Sequence, residues 1–407
     1  MKHRVLMITT VSGFLWQFER NTVELLQEAE AEIHFASNFD RPAYVVREGY
    51  FEENGIWLHP IPIEKSPLSV RANLRALREL RRIIRREQID TIHCHTPMGG
   101  VLGRLASLAA GRKIPVIYTA HGFHFYKGAP LQNWLLYYPA ERILARMTDS
   151  LVTINHEDEQ AAGRFSLRRK GKVCRIPGVG VDTEKYAPRP ELRREARKRL
   201  GVSEQEFCLL TAALLDREKN HATVLEMIRN SPEVSGRPIC YCICGEGPYR
   251  GKLQKLAEAY GIRDQVRFLG YRNDLDVLLQ GADLFVFPSL REGLGMAALE
   301  AMACGIPVAG AVSRGTLEYI KPGENGFLCR GSVPEDFARA AEALAEDPEM
   351  GRRMGAAARE ESLRFDKKKA KGCMERIYQE LWNRRHEDET EDLCDHECVQ
   401  STPVRSA

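Results

Sequence analysis

Short apolar runs alternate with longer amphipathic segments in the first half of the chain. An apolar run bounded by polar residues predicts a buried strand, and apolar residues three or four positions apart predict a helix with one buried face. The strands predicted in this way are 4–9, 32–36, 90–95, 115–120, 150–155 and 172–176, and the helices are 18–28, 74–86 and 100–110. Such alternation is typical of a parallel sheet with helices on both faces.

The same alternation begins again after a link rich in glycine and proline, residues 178–190. The second half predicts strands at 207–213, 238–244, 266–268, 284–287 and 308–309, and helices at 219–230, 250–260, 296–304, 334–345 and 350–362. A last amphipathic segment, 368–382, predicts one more helix. Two similar halves without a repeat of about 20 to 50 residues exclude solenoids and propellers. We therefore expect an α/β protein with two domains.

Composition limits the class of protein further. The 407 residues carry a formal net charge of +3, which is too small to indicate nucleic-acid binding. No run of about 18 apolar residues occurs, and the N-terminal segment becomes polar too early for a signal peptide, so we expect a cytoplasmic protein. The 11 cysteines are an odd number, and several alternate inside a predicted strand, which favours reduced thiols over disulfides.

The last segment of the chain is acidic and almost free of large apolar residues. Cys394 and Cys398 lie there close to His386 and His396, an arrangement that also occurs in metal sites. Because the segment offers few apolar side chains for a core, we favour a disordered acidic tail over residues 386–407.

One segment combines a strand, a glycine turn and a helix with two carboxylates. The apolar run 282–288 leads into a turn with Gly293 and Gly295, and a stretch rich in Ala, Leu and Met follows as a helix. Glu292 lies at the turn, and Glu300 lies two helical turns further on, about 12 Å along the axis. The N–H groups at a helix start bind phosphate oxygens well. The spacing therefore suits a diphosphate with a sugar at each end, with one carboxylate for each sugar.

This segment resembles the E-x7-E signature of family 4, the retaining glycosyltransferases that use nucleotide sugars. The resemblance covers the chain up to about residue 385. It implies two Rossmann-like domains facing across a cleft, the GT-B fold. The acceptor-binding domain would be 1–183, the nucleotide-sugar-binding domain 184–367, and a helix at 368–385 would return to the first domain.

The resemblance assigns the donor site to the second domain. It implies that Glu300 holds the ribose, that Glu292 contacts the donor sugar, and that Lys219 offsets charge on the diphosphate. Further donor contacts are expected from three turns that follow predicted strands: Gly245, Gly247, Gly270, Tyr271, Gly293, Leu294 and Gly295. The glycine pair at 245 and 247, taken alone, is equally consistent with an ordinary tight turn.

The chain departs from its relatives at one position of the donor site. Many relatives have an arginine five residues before the lysine, where this chain has Leu214. Either Arg217 replaces that arginine, or Lys219 and helix N–H groups meet the diphosphate alone.

A second segment narrows the resemblance within the family. Residues 118–130 directly follow a predicted strand and combine histidines, glycines and aromatic residues. They look like the enzymes that build capsular and exopolysaccharides on lipid carriers. This resemblance implies that His121 faces the transferred sugar, and it makes His124 and Lys127 candidates for acceptor contacts. Trp16, in residues 13–16 after the first strand, would belong to an apolar acceptor loop.

His93 and His95 resemble part of a zinc site. In a strand they share one face while Cys94 points to the other, so at most two ligands converge, and a zinc site needs three or four. We therefore expect acceptor-site or sheet-packing roles for these histidines. The family resemblance likewise implies no cofactor and no metal, with lysine and helix N–H groups in place of a metal.

The segment 71–86 has leucines and isoleucines on one side and arginines around the rest. It is either an ordinary core helix with a solvated basic face or a helix that lies on anionic lipid. We favour contact with an anionic membrane surface, because the expected acceptor is a polyprenyl-diphosphate-linked glycan.

These features together predict a retaining transferase in cell-surface polysaccharide synthesis. It would move a hexose or N-acetylhexosamine from a nucleotide sugar, which we expect to be UDP-linked with GDP still open, to a hydroxyl of a glycan. A nucleotide-sugar 2-epimerase has the same architecture but needs catalytic acid and base carboxylates that the sequence does not place. A non-catalytic nucleotide-sugar-binding scaffold is the third alternative, and Leu214 is its support.

Overall fold

The computed structural model describes residues 2–40, 46–109, 114–168 and 170–399, with only the helical backbone of residue 109 and of residues 385–399. The chain forms two compact units, 1–179 with 370–407, and 180–369. The predicted boundaries after residues 183 and 367 differ from this division by a few residues.

The first unit contains a parallel sheet. Its strands in the described residues are β1 Arg4–Ile8, β2 Glu32–Ser37, β3 Trp57–Pro60, β4 Thr91–His95, β5 Val116–Ala120, β6 Ser150–Thr153 and β7 Lys172–Arg175. Their order is β3-β2-β1-β4-β5-β6-β7, and all neighbours pair in parallel. The predicted parallel sheet is confirmed. The pattern missed β3 because Trp57 and Leu58 are exposed, so this edge strand is not a buried apolar run.

The helices of the first unit connect these strands. They are α1 Gly13–Phe18, α2 Arg20–Glu28, α3 Tyr50–Glu53, α4 Val70–Arg86, α5 Pro97–Ala109, α6 Leu131–Ala145 and α7 His156–Ala162. Residues 13–16, expected to be a loop, are helical in α1, because a helix pairs the backbone groups while Phe14 and Leu15 are buried. The sequence did not predict α6, which is apolar on most sides and therefore lacks the helical period. In the described residues, none of the helices is both long enough and apolar enough to cross a membrane.

The second unit repeats this architecture. Its strands in the described residues are β8 Phe207–Ala212, β9 Glu233–Val234, β10 Arg237–Cys244, β11 Val266–Gly270, β12 Leu284–Phe287, β13 Val308–Ala311 and β14 Gly326–Cys329. The sheet order is β11-β10-β8-β12-β13-β14, all parallel, and the short β9 pairs antiparallel with β10. The helices are α8 Arg193–Leu200, α9 His221–Asn230, α10 Arg250–Ala259, α11 Leu275–Leu278, α12 Met296–Ala303, α13 Pro334–Glu346 and α14 Pro348–Ser362.

The last helix, α15 Lys367–Val399, belongs to the first unit from residue 370 onward. The Trp382 indole N–H donates to Thr91 Oγ1 at 3.1 Å, which joins the helix to β4. The backbone stays helical to Val399, where we expected a disordered tail from residue 386. The segment has no glycine or proline before Pro403 and extends a helix that packing has already nucleated, so each further turn costs little. Residues 400–407 lie outside the described residues.

A buried ion pair joins α5 and α6 to the sheet of the first unit. Arg104 is fully buried, and its Nη1 donates to Glu141 Oε2 at 2.8 Å while its Nε donates to the Gly100 carbonyl at 2.7 Å. The guanidinium lies 4.0 Å from the ring centroid of Tyr118. Because Tyr118 is in β5, this pair fixes both helices against the strand that leads to His121.

Glu141→Ala should lower the free energy of unfolding by about 3–5 kcal/mol, because it leaves the Arg104 charge buried without its carboxylate. Urea unfolding followed by circular dichroism measures this loss. Glu79→Ala is the control, since it breaks an exposed pair with Arg82 and should cost less than about 1 kcal/mol. Equal losses in the two variants would contradict the importance of the buried pair.

Candidate functional site

In the second unit, loops after four neighbouring strands lie at one edge of the sheet. The strands β11, β10, β8 and β12 are adjacent and parallel, so their carboxyl ends share this edge. The predicted donor residues follow those ends: Gly270 closes β11, Gly245 follows β10, Lys219 follows β8 and Glu292 follows β12. The fold thus brings together the motifs that lie far apart in the sequence.

Lys219 and Glu292 form an ion pair at this edge. Lys219 Nζ lies 2.5 Å from Glu292 Oε1, and the two side chains are 24% and 11% exposed. The backbone N–H of Lys219 donates to Asp216 Oδ1 at 2.9 Å, which fixes the turn that presents the lysine. A second cation, Arg314, donates from Nε to the carbonyl oxygen of Glu292 at 3.3 Å. Arg314 was not predicted from the sequence, although its place just after β13 was a signal for it.

The turn before α12 requires glycine. Gly295 has a φ of 93°, and a Cβ there would lie 2.7 Å from Phe287 Cε1 and 2.8 Å from the Tyr319 hydroxyl. That hydroxyl donates to the Gly295 carbonyl at 3.4 Å. The side chain of Leu294 is buried and anchors the turn, while Glu300 lies half-buried within α12, as predicted. The E-x7-E segment therefore has the predicted strand, turn and helix.

The glycine turn after β10 lies directly against the turn after β8. Cβ atoms built at Gly245 and Gly247 would lie 1.9 Å from the Ala213 carbonyl oxygen and 2.4 Å from that of Leu215. The Leu215 N–H donates to the Glu246 carbonyl at 2.9 Å, and the Gly245 N–H donates to the carbonyl of Gly270 at 2.7 Å. These bonds make the three turns one continuous backbone surface. Tyr271, immediately after Gly270, is exposed at its end.

In the first unit, His121 follows β5 and lies in a cluster with two other polar side chains. Glu19 Oε1 lies 3.3 Å from His95 Nδ1 and 3.5 Å from His121 Nε2. The two ring nitrogens are 3.3 Å apart. Glu19 and His95 are buried, while 20% of the His121 side chain is exposed. Glu19, which lies between α1 and α2, was not predicted from the sequence.

Burial dominates the electrostatics of this cluster. Loss of water raises the pKa of Glu19 to about 8, although a hydrogen bond from Thr22 Oγ1 at 2.7 Å opposes the rise. Burial also lowers the pKa of His121 to about 4 and holds that of His95 well below its usual value. Each shift favours the uncharged form, as expected where water cannot solvate a charge. Near neutral pH the cluster is therefore mostly uncharged.

His93 is part of the sheet packing rather than of the cluster. Its Nδ1 lies 2.7 Å from the Tyr378 hydroxyl, and its Nε2 lies 2.8 Å from Thr119 Oγ1, so both ring nitrogens are hydrogen-bonded. This confirms the packing role that was one of the two expected for the histidine pair. The expectation that His93, Cys94 and His95 supply at most two converging ligands concerned that strand alone, whereas Glu19 and His121 approach His95 from outside β4.

The candidate acceptor residues are spread over the first unit. Trp16 packs on Tyr50 with ring centroids 4.7 Å apart, and the Arg20 guanidinium lies 4.7 Å from the Trp16 ring. His124 packs on Tyr137 at 4.6 Å. The backbone N–H of Lys127 donates to a carboxylate oxygen of Glu157, while its side chain is exposed. Only His121 among these candidates lies in the polar cluster.

Known proteins are similar to this sequence over nearly its whole length. A family model described as "Glycosyl transferase 4-like domain" matches residues 16–178, and one described as "Glycosyl transferases group 1" matches residues 193–361. The "Putative glycosyltransferase EpsD" of Bacillus subtilis (strain 168) is 38% identical over 93% of this chain and 97% of its own length. The chain belongs to family 4 of the glycosyltransferases.

Other relatives agree with this membership. The "UDP-Gal:alpha-D-GlcNAc-diphosphoundecaprenol alpha-1,3-galactosyltransferase" of Escherichia coli is 29% identical over 69% of this chain and 72% of its own length. The crystal structure of Anabaena HepE in complex with UDP matches this glycosyltransferase with a TM-score of 0.74. It is 21% identical and covers 94% of this chain and all of that one. At that identity the match concerns the fold, and it confirms the two Rossmann-like α/β domains.

Proposed function

We propose that this family 4 glycosyltransferase is a retaining enzyme of exopolysaccharide or capsule synthesis. It moves a hexose or N-acetylhexosamine from a UDP-sugar to a hydroxyl of a polyprenyl-diphosphate-linked glycan. The ion pair of Lys219 and Glu292 at the sheet edge carries the proposal, because a cation and a carboxylate in contact suit a diphosphate and its adjoining sugar. The names of two similar proteins, which specify UDP, UDP-Gal and a diphosphoundecaprenol acceptor, support the donor and acceptor.

Each donor group has a proposed partner in the second unit. Glu300 binds the ribose hydroxyls, Glu292 binds the transferred sugar, and Lys219 binds the diphosphate with N–H groups of residues 293–295. Before the donor binds, Glu292 holds Lys219 by the 2.5 Å contact, and a phosphate oxygen then takes the place of that partner. Lysine and N–H groups supply the positive charge here, so we expect this step to need no metal.

Another cation replaces the arginine that many relatives have at position 214, where this chain has leucine. Leu214 is an exposed apolar residue, and Arg217 is exposed in the same turn. Arg314, by contrast, is held against the backbone of Glu292, next to the turn that binds the diphosphate. We therefore favour Arg314 over Arg217 as the second cation.

The reaction follows from these contacts. The acceptor hydroxyl attacks the anomeric carbon on the face that the diphosphate leaves and passes its proton to the departing diphosphate oxygen. The bond to the diphosphate breaks as the new glycosidic bond forms, and the configuration at that carbon is retained. Negative charge grows on the departing diphosphate, and Lys219 stabilises that charge more strongly than it does in the bound donor. His121 of the first unit stays a candidate for contact with a sugar, as the family resemblance implies.

UDP titrated calorimetrically into the full chain with EDTA present should bind, and Glu300→Ala should bind it about 10- to 100-fold more weakly. Hydrogen bonds that a carboxylate accepts contribute about 1.5–3 kcal/mol each, which corresponds to that range. Glu335→Ala, which removes an exposed carboxylate on α13, is the matched control and should bind normally. A parallel GDP titration identifies the nucleotide. Binding of neither nucleotide, or binding that EDTA abolishes, would contradict the proposal.

Lys219→Met should lower kcat for transfer to a polyprenyl-diphosphate-linked glycan by about 100- to 1000-fold, because it removes charge that stabilises the transition state. Lys255→Met on α10, an exposed lysine, controls for loss of charge alone. A donor sugar that changes configuration without acceptor would indicate an epimerase. Donor binding without turnover across an acceptor panel would indicate a scaffold. Normal rates in Lys219→Met would refute the assigned role of the ion pair.

The first unit carries a surface that suits a lipid-linked acceptor. The helix α5 packs between α4 and α6. On α6, Leu131 and Leu135 are 73% and 71% exposed. Exposed arginines cover α4: Arg71, Arg75, Arg78, Arg81, Arg82, Arg85 and Arg86. Apolar side chains flanked by positive charge are typical of proteins that bind anionic membranes, so we propose that this face contacts the inner surface of the cell membrane.

The double variant Leu131→Ser with Leu135→Ser should bind phosphatidylglycerol vesicles at least about tenfold more weakly, because each leucine contributes about 1.5–3 kcal/mol when buried. Sedimentation with vesicles measures this, and raising the salt concentration should weaken binding by the unchanged chain. Leu317→Ser, an exposed leucine of the second unit, is the control. Equal binding to phosphatidylcholine vesicles would show that the arginines of α4 do not contribute.

A further inference from the structure

Three polar atoms of the first unit form a nearly equilateral triangle. They are Glu19 Oε1, His95 Nδ1 and His121 Nε2, with sides of 3.3, 3.3 and 3.5 Å. The other carboxylate oxygen, Oε2, already accepts a hydrogen bond from Thr22. The three atoms must therefore satisfy one another, and the protons between them decide which nitrogen of His121 carries its own proton.

The proton of His95 is on Nδ1. Among the described residues, His95 Nε2 has no hydrogen-bond partner and is buried. A buried N–H without an acceptor is rarer and more costly than a buried lone pair without a donor. The neutral ring of His95 therefore places its N–H within the triangle, where it faces Glu19 Oε1 and His121 Nε2.

The carboxyl proton of Glu19 is the second donor in the triangle. At neutral pH the buried acid is mostly protonated, because burial raises its pKa to about 8. The Glu19 O–H and the His95 N–H then both face His121 Nε2, which can only accept. His121 is neutral as well, with a pKa of about 4, so its single proton lies on Nδ1.

We propose that Glu19 is a positioning residue that fixes His121 in the tautomer with the proton on Nδ1, and that ionisation of Glu19 reverses this tautomer. When Glu19 loses its proton to solvent, Oε1 becomes an acceptor for both rings. The His121 proton then moves from Nδ1 to Nε2, and the His95 proton stays on Nδ1. When Glu19 is protonated, His121 Nδ1 therefore carries a hydrogen and can donate a hydrogen bond. When Glu19 is ionised, Nδ1 carries no hydrogen and cannot donate. This inference rests on the proposed function at one point only, namely that the donor at His121 Nδ1 binds a sugar.

Other titratable and charged groups near Glu19 do not explain such a change between pH 6 and 9. The groups that face it from α2, β4, the end of β5 and α15 are Thr22, His93, His95, His121, Tyr378 and Lys371. Burial lowers the pKa of His93 to about 3 and holds that of Tyr378 well above its usual value. Lys371 Nζ is paired with Glu28 Oε1 at 2.6 Å. Glu19 is therefore the group that titrates in this range.

Nitrogen-15 NMR of histidine-labelled full-length protein tests the tautomer directly. The His121 signals, assigned with His121→Gln, should show Nδ1–H at pH 6.5 and cross to Nε2–H near pH 8. Glu19→Gln should show no crossing, because glutamine imitates the neutral acid at every pH. Thr22→Val should move the crossing to higher pH, since it removes the hydrogen bond that lowers the pKa of Glu19. Glu24→Gln, an exposed carboxylate on α2, should cross as the unchanged chain does.

Transfer kinetics give a second readout that a purely structural role would not move. The protonated fraction of an acid with a pKa of about 8 falls about tenfold between pH 7 and pH 9. The ratio of kcat/KM at pH 9 to that at pH 7 should therefore be about tenfold higher in Glu19→Gln than in the unchanged chain. The ratio in Glu24→Gln should equal that of the unchanged chain.

Three results would overturn the inference. They are a His121 proton on Nε2 at pH 6.5, a crossing that persists in Glu19→Gln, and zinc that copurifies in stoichiometric amount and is lost in Glu19→Gln. In the last case a metal, not a proton, would occupy the triangle. The NMR measurement needs no transferase activity, so an inactive protein with the expected tautomers would refute the proposed function and leave the inference standing.

Discussion

Parallel pairing of the strands is the constraint on which both units depend. When every strand runs in the same direction, every carboxyl end releases its loop at the same edge, and the crossover helices must cover the two faces. In the second unit this brings Lys219 to Glu292, which lies 73 residues further along the chain. In the first unit it brings His95 to His121 across the neighbouring strands β4 and β5. Neither pair could form if one of the strands were reversed.

The two edges use their polar groups in different electrical states. At the edge of the second unit, an amine and a carboxylate lie in direct contact and remain partly exposed, an arrangement that suits an anionic ligand. At the edge of the first unit, Glu19 and the neighbouring histidines are held away from water, and burial favours their neutral forms. Charge is therefore the property that the edge of the second unit offers to a ligand, and hydrogen-bond direction is the property that the edge of the first unit offers.

The sequence predicted those parts of the site that are contiguous. Glu292, Gly295 and Glu300 belong to one strand, turn and helix, so their spacing alone indicates their arrangement. Glu19 could not be found in this way, because a single glutamate at a helix boundary gives no sign of burial and its partners come from β4 and from the loop after β5. Arg314 was missed for a related reason. It lies in a separate turn after β13 and donates to the backbone carbonyl of Glu292, so no spacing in the sequence connects the two residues.

The fold followed the hydrophobic pattern except where that pattern does not reflect burial. The edge strand β3 exposes Trp57 and Leu58, and α6 is apolar on faces that meet solvent, so neither has the period of its element. The helical extension to Val399 is the opposite case, because the sequence pattern predicts no helix there and the backbone is helical. Its composition is too polar for a core. It nevertheless continues a helix that packing has already started, and the hydrophobic pattern cannot predict such a continuation.

The position of α15 has a consequence for how the protein is made. Tyr378 and Trp382 complete the interior of the first unit by bonding to His93 and Thr91, but they are synthesised after the whole second unit. During translation the N-terminal sheet therefore emerges from the ribosome with a polar histidine uncovered, and it waits for the last helix while the second unit folds. The first unit is therefore synthesised first and completed last. If synthesis stops before residue 378, Tyr378 and Trp382 are missing and the core of the first unit is incomplete.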